Sequence, residues 1–167
     1  LASYWAQPSH DSPQPEQARL QDLERYVEAT ARTPVNFEPG SDYVYGINQA
    51  ILGRLVEVLS GKSFQEYLQE TIFDPLGMTQ TSFALDAERR ARFQPLFINS
   101  SDMIGFTNEL DELTYAPESR AHFGGEGLTS TLGDYSRLSE MVLGGGEFRA
   151  RRLRSEASLR NRTSARN

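Results

Sequence analysis

Two tyrosines, Tyr43 and Tyr45, stand between a Pro39-Gly40 turn and a long apolar-periodic segment. A free phenol has a pKa of about 10, so it is a poor base unless a cation stabilises the phenolate. A helix N-terminus helps a little through its dipole, and a nearby ammonium helps much more. The chain has one lysine, Lys62, downstream of both tyrosines. Taken alone, a tyrosine at a loop–helix junction is a packing residue with a hydrogen-bonded hydroxyl. Other arrangements carry less chemistry. Ser9-His10-Asp11 has the residue types of a triad, but consecutive residues cannot occupy a triad's three separate places. No Gly-x-Ser-x-Gly elbow occurs. Asp111 and Glu112 read as solvated carboxylates in an acidic loop. Two histidines, His10 and His122, are too few for a histidine-only metal site, and there is no cysteine for a thiolate site or a disulfide. The sequence therefore implies no metal and no cofactor.

The elements that would position these residues are mostly helical. Residues 1–14 read as loop, and Pro15 opens a helix to about Arg32 with Leu20, Leu23, Tyr26, Val27 and Thr30 on one face. Thr33-Pro34 stops it, because a residue before proline is pushed out of the α region. A second helix runs from about Ile47 to Leu59, with Ile51, Leu52, Leu55, Val56 and Leu59 as its expected buried stripe and Gly61 as its left-handed end. Ser63 and Glu66 have capping-box spacing at the start of a third helix, which would bury Phe64, Tyr67, Leu68 and Ile72 and close at Pro75 and Gly77. Asp102–Pro117 is expected to hold one or two strands around Asn108-Glu109-Leu110-Asp111. After a glycine-dense link, Thr131 and Asp134 cap a last helix. Leu132, Tyr135, Leu138 and Met141 or Val142 are its expected buried face, and Gly144-Gly145-Gly146 its end.

Several of these pieces occur together in a known order. Pro39-Gly40, Tyr45-Gly46-Ile47, Leu52-Gly53-Arg54-Leu55-Val56-Glu57, Ser60-Gly61 and Pro75-Leu76-Gly77-Met78-Thr79-Gln80-Thr81 resemble the second-motif region of the serine β-lactamase and penicillin-binding-protein superfamily. The nearest resemblance is to its class C β-lactamase and EstB-like esterase branch. A second block, Gly124-Gly125-Glu126-Gly127-Leu128-Thr129-Ser130-Thr131 with Asp134-Tyr135, resembles that family's glycine-rich segment and following helix. The resemblance covers about residues 34–83 and 122–155.

It implies a mixed α/β (α+β) fold of the β-lactamase/transpeptidase type, this segment supplying mostly the helical domain and a few antiparallel strands. It also implies an acyl-enzyme mechanism: a serine of a Ser-x-x-Lys motif attacks, and the lysine and a tyrosine share the base work. Tyr45 matches that tyrosine, and Tyr43 ranks behind it because only Tyr45 keeps the spacing to Leu52-Gly53. Ile47 stands where β-lactamases carry a substrate-binding Asn. This departure favours an ester substrate over a lactam, with Asn48 next door as a partial substitute that points elsewhere on the helix. No Ser-x-x-Lys exists here, since Leu59 lies three before Lys62. No third motif follows the glycine-rich block either, and His122-Phe123-Gly124 precedes it. Residues 1–167 are therefore expected to be one partial domain, the middle of a protein about twice as long, with Leu1-Ala2-Ser3 continuing a run that follows the nucleophile.

The composition, 38% hydrophobic and 24% charged, is that of a globular chain, and no stretch is apolar enough to span a membrane. The net charge of −6 is uneven: residues 149–167 hold seven arginines and one acid. Such a tail can bind an acidic partner, but no aromatic residue is interleaved for base stacking, which argues against nucleic acid. The expected partner is a small ester or lactam substrate. The alternative is a non-catalytic helical binding module of the same fold with the Arg-rich tail as its interaction surface.

Overall fold

A computed structural model describes residues 22–32, 34–35, 37–43, 46, 48–94, 96–99, 104–107, 120, 122–125 and 127–163. The chain divides into two compact units, Leu1–Phe64 with Phe83–Gly127, and Gln65–Ser82 with Leu128–Asn167. Each is built from helices and one two-stranded antiparallel ladder.

In the first unit, helix α1 spans Leu23–Ala31. Asp22 caps it, its Oδ1 accepting the N–H of Arg25 at 3.0 Å. The helix ends ahead of Pro34, as the proline rule requires, while the expected start at Pro15 lies outside the described residues. Leu23, only 1% exposed, joins Ala50 and Phe123 in the core, with Tyr26, Val27 and Phe64 packed around them.

Helix α2 spans Asn48–Ser60 and ends at Gly61, whose φ of +69° is the left-handed conformation expected there. Its orientation corrects the sequence reading. The buried positions are Ala50 and Gly53, whereas Ile51, Leu52, Leu55 and Leu59 are exposed. The cause is close approach: a Cβ on Gly53 would lie 3.1 Å from Cδ2 of Leu23. The small residues at 50 and 53 let α2 settle on α1, and the large apolar stripe is turned away. Glu57 shares the inward side and joins two elements. Its Oε1 accepts the N–H of Phe64 at 3.0 Å, and its Oε2 pairs with Arg54 at 3.1 Å. Arg54 also pairs with Glu24 of α1.

A short helix α5 (Ala87–Arg92) is capped by Asp86 through the N–H of Arg89 at 2.8 Å. Strands β1 (Leu96–Asn99) and β2 (Ile104–Thr107) follow, with Leu96 opposite Thr107 and Asn99 opposite Ile104. Strand β2 thus falls inside the expected Asp102–Pro117 stretch, while the Asn108–Pro117 part of that stretch lies outside the described residues.

In the second unit, helix α3 (Phe64–Leu68) widens into a π-helical turn, Gln69–Phe73, and closes with one α turn, α4 (Asp74–Leu76). The widening stands directly ahead of Pro75, which has no N–H to donate and whose ring would crowd the carbonyl of Thr71. Proline thus does not end the helix; Gly77, at φ +67°, does. Phe73, Leu76, Met78, Met141 and Phe148 form this unit's core, with Leu68, Ile72, Leu138, Leu153 and Leu159 against it.

Helix α6 (Leu132–Leu143) begins as expected, with Thr131 Oγ1 accepting the N–H of Asp134 at 3.2 Å. Its inward face keeps the expected Leu138 and Met141 but not Leu132 and Tyr135. Leu132 (87% exposed) and Tyr135 lie outside, and Asp134 and Met141 are buried. A buried, fully partnered carboxylate has fixed the rotation of the helix. The Arg-rich tail is also more than a frayed end. Glu147–Phe148 (β3) pairs with Arg151–Arg152 (β4), and helix α7 covers Glu156–Thr163. Arg152 pairs with Glu147 at 3.2 Å, and Arg160 pairs with Glu156.

Candidate functional site

Tyr45 and Ile47 lie outside the described residues, and the structure leaves their roles as expectations. The segments on either side of them are described. The Pro39-Gly40 turn forms, with the N–H and Oγ of Ser41 both donating to the carbonyl of Glu38, at 3.0 and 2.7 Å. Gly40 takes φ +89° there. Tyr43 is 75% exposed, and its N–H donates to Asp42 Oδ1 at 2.7 Å. Asn48 is the first residue of α2 and is exposed, as are Gly46 and Gln49. Lys62 belongs to the α2–α3 link, where its N–H donates to Ser60 Oγ at 3.2 Å.

The glycine-rich segment packs against this first turn of α2. A Cβ on Gly124 would overlap the carbonyl oxygen of Gln49 and lie 3.0 Å from its carbonyl carbon. A Cβ on Gly125 would lie 3.2 Å from Cβ of Gln49 and 3.5 Å from its Cγ. Phe123 anchors the segment: it is buried and meets the ring of Tyr26 edge-on at 4.7 Å. His122 stacks on Phe83 at 5.0 Å, and Phe83 lies 6.0 Å from Phe64. The His122-Phe123-Gly124 run is thus part of an aromatic wall, in keeping with its position ahead of the glycine-rich block. The two blocks of sequence resemblance meet through Gln49, a residue that sequence reasoning passed over. An unremarkable glutamine in a first helical turn carries no signal; the pair of glycines facing it does.

A second arrangement of polar groups lies wholly in the other unit. The carboxylate of Asp134 is 2% exposed. Its Oδ2 accepts the N–H of Gln80 at 2.7 Å and the hydroxyl of Thr81 at 3.0 Å, and its Oδ1 accepts Arg137 at 2.6 Å. The hydroxyls of Thr81 and Ser130 are 2.8 Å apart, and Arg137 also donates to the carbonyl of Gly77 at 2.7 Å. Ser82 and Thr129 exchange backbone hydrogen bonds at 3.1 and 3.0 Å. The Gly77-Met78-Thr79-Gln80-Thr81 run is therefore half of a staple whose other half is Thr129 to Arg137. With every oxygen partnered inside the protein, this carboxylate is structural. Among the described residues no group of three or more His, Cys, Asp or Glu is placed to hold a metal ion. No described helix is long and apolar enough to cross a membrane.

Comparison with known proteins places the whole arrangement. The family model described as Beta-lactamase matches residues 1–167. Monacolin J acid methylbutanoyltransferase of Aspergillus terreus is 32% identical over 133 residues, which is 76% of this chain and 31% of that protein. Lovastatin esterase of Penicillium rubens is 32% identical over 126 residues, 71% of this chain and 30% of that protein. Among solved structures, unliganded simvastatin synthase from Aspergillus terreus superposes with a TM-score of 0.64 at 28% identity, covering 86% of this chain and 35% of that one. The chain thus spans about a third of the length of the curated relatives it matches, and its helices and short antiparallel ladders are a segment of the β-lactamase/transpeptidase α+β fold. By the family match, the order of its motifs and the superposition, the chain belongs to the β-lactamase family.

Proposed function

We propose that these residues form part of a single β-lactamase-related domain that hydrolyses or transfers acyl groups of small-molecule esters through an acyl-enzyme. In this reading Tyr45 is the general-base partner of a serine and a lysine that lie outside residues 1–167. The phenolate form of Tyr45, held by that lysine's ammonium, takes the serine proton as the ester carbonyl is attacked and later returns it to the leaving alkoxide. Ile47 leaves the site without the amide-holding Asn of β-lactamases, which suits an ester, and Asn48 flanks the substrate.

The observation that carries this reading is the seating of the glycine-rich segment on the first turn of α2, next to the tyrosine in sequence, in a chain whose relatives include proteins named as an acyltransferase and an esterase. The test is hydrolysis of a p-nitrophenyl ester by the full-length protein that contains this chain. Tyr45→Phe is expected to lower kcat by about a hundredfold or more, and residues 1–167 alone are expected to be inactive. Full activity of Tyr45→Phe, or Tyr45-dependent hydrolysis by the 167 residues alone, would sink the assignment.

A further inference from the structure

Gly124 and Gly125 face Gln49 without a backbone reason to be glycine. Their φ values lie outside the left-handed range, unlike Gly127 at +88°. What excludes a side chain is the approach itself. At Gly124 the obstacle is main chain, the carbonyl of Gln49, and at Gly125 it is the Gln49 side chain. The backbone N of Gly124 would also lie 3.6 Å from a Cβ on Gly53, one helical turn further along the same face of α2. The segment cannot back away freely, because Phe123 is fixed in the core beside Leu23 and Ala50. The first two turns of α2 thus sit on two glycines against a firm backing.

We propose that Gly124 and Gly125 are positioning residues: the glycine–Gln49 contact sets where the first turn of α2 lies, and the base chemistry proposed for Tyr45, three residues before Asn48 in sequence, depends on that setting. The inference rests on the reading of Tyr45 as the base partner. A Cβ at Gly124 forces the main chain of the turn to shift, and one at Gly125 presses on the Gln49 Cβ by a few tenths of an ångström. A displacement near 1 Å in a reacting constellation costs up to about a hundredfold in rate. Because the group moved is an acid–base residue, the pH profile of kcat/KM moves with it.

The experiment uses the full-length protein and a p-nitrophenyl ester. Gly125→Ala is expected to fold normally, to lose about tenfold in kcat with KM little changed, and to shift the pH profile. Adding Gln49→Gly removes the opposing Cβ and is expected to restore both. Gly124→Ala is expected to lose more and not to be restored by Gln49→Gly, because its clash is with main chain. Gly133→Ala, whose Cβ would meet nothing closer than Thr131 Oγ1 at 3.9 Å, is the control and keeps full activity. Near-UV circular dichroism gives the folded fraction. Wild-type kcat per folded molecule and an unmoved profile in Gly125→Ala would overturn the proposal, whether or not Gly124→Ala folds. Tyr45→Phe, run alongside, separates the two readings. If it is silent, the assignment of the base has failed; if it is inactive while the glycine variants are normal, only the positioning role has failed.

Discussion

The carboxylate of Asp134 accepts the backbone N–H of Gln80, 54 residues earlier in the chain, at 2.7 Å. This one contact explains why two distant motifs occur together. The Gly77–Thr81 run supplies a main-chain donor and a hydroxyl, and the start of α6 supplies the acceptor. Neither half has its partners without the other.

Asp134→Ala is therefore expected to destabilise the second unit by about 3 kcal/mol, since it removes a buried acceptor shared by the Gln80 N–H, the Thr81 hydroxyl and Arg137. Thr81→Val, which removes one hydroxyl, should cost about 1 kcal/mol. Amide hydrogen exchange reads this locally: Gln80 and Thr129 should exchange faster in Asp134→Ala. Unchanged protection at both amides would mean the staple is not what holds these segments.

Glu57 and Glu24 both pair with Arg54 and should differ in worth. Glu57 has 14% of its side chain exposed and also caps α3 through the Phe64 N–H, whereas Glu24 is 54% exposed. Glu57→Ala is expected to cost about 1–2 kcal/mol, in the range of a lost helix cap. Glu24→Ala should stay within about 0.5 kcal/mol. Urea titration of both variants checks the ordering, and equal losses would contradict it.

The β3–β4 hairpin turns through Arg149 and Ala150, at φ +47° and +63°. A two-residue turn of this hand prefers Asn and Gly, because a Cβ crowds the carbonyl in the left-handed region. Arg149 recovers something through its guanidinium, 5.0 Å from the centre of the Phe148 ring. Ala150 has no such contact described, so Ala150→Gly is expected to stabilise the protein by about 1 kcal/mol. A raised midpoint in thermal unfolding is the predicted result; a lowered one would show that the turn is not strained.

Element ends were legible in the sequence because capping chemistry is local. Thr131 and Asp134, Gly61, Gly77 and the block at Pro34 each act within a few residues. Helix rotation was not legible, because it is decided by partners far away. In α2 the small faces of Ala50 and Gly53 outweighed the apolar stripe, and in α6 the burial of Asp134 carried Leu132 and Tyr135 outward. For the candidate site, local pattern and fold supply different residues. Tyr45 and Ile47 could be singled out by motif spacing, and Asn48 by adjacency. The contact of Gly124 with Gln49 depends on the fold bringing residues 49 and 124 together, and no local pattern announces it.

The π-helical turn ahead of Pro75 amounts to one residue inserted into a helix without a bulge in either flanking loop. The N–H of Asp74 reaches the carbonyl of Gln69, five positions back, where an α-helix would count four. An extra residue delays everything downstream by about 100° of azimuth. It thereby dials the heading at which Leu76 enters the core and at which the Gly77 carbonyl meets Arg137 at 2.7 Å. The length of this helix is consequently an adjustable setting in the register between distant motifs. Removing a residue from Gln69–Phe73 would heal the local hydrogen bonding and misdirect Leu76 and Gly77 immediately downstream of it.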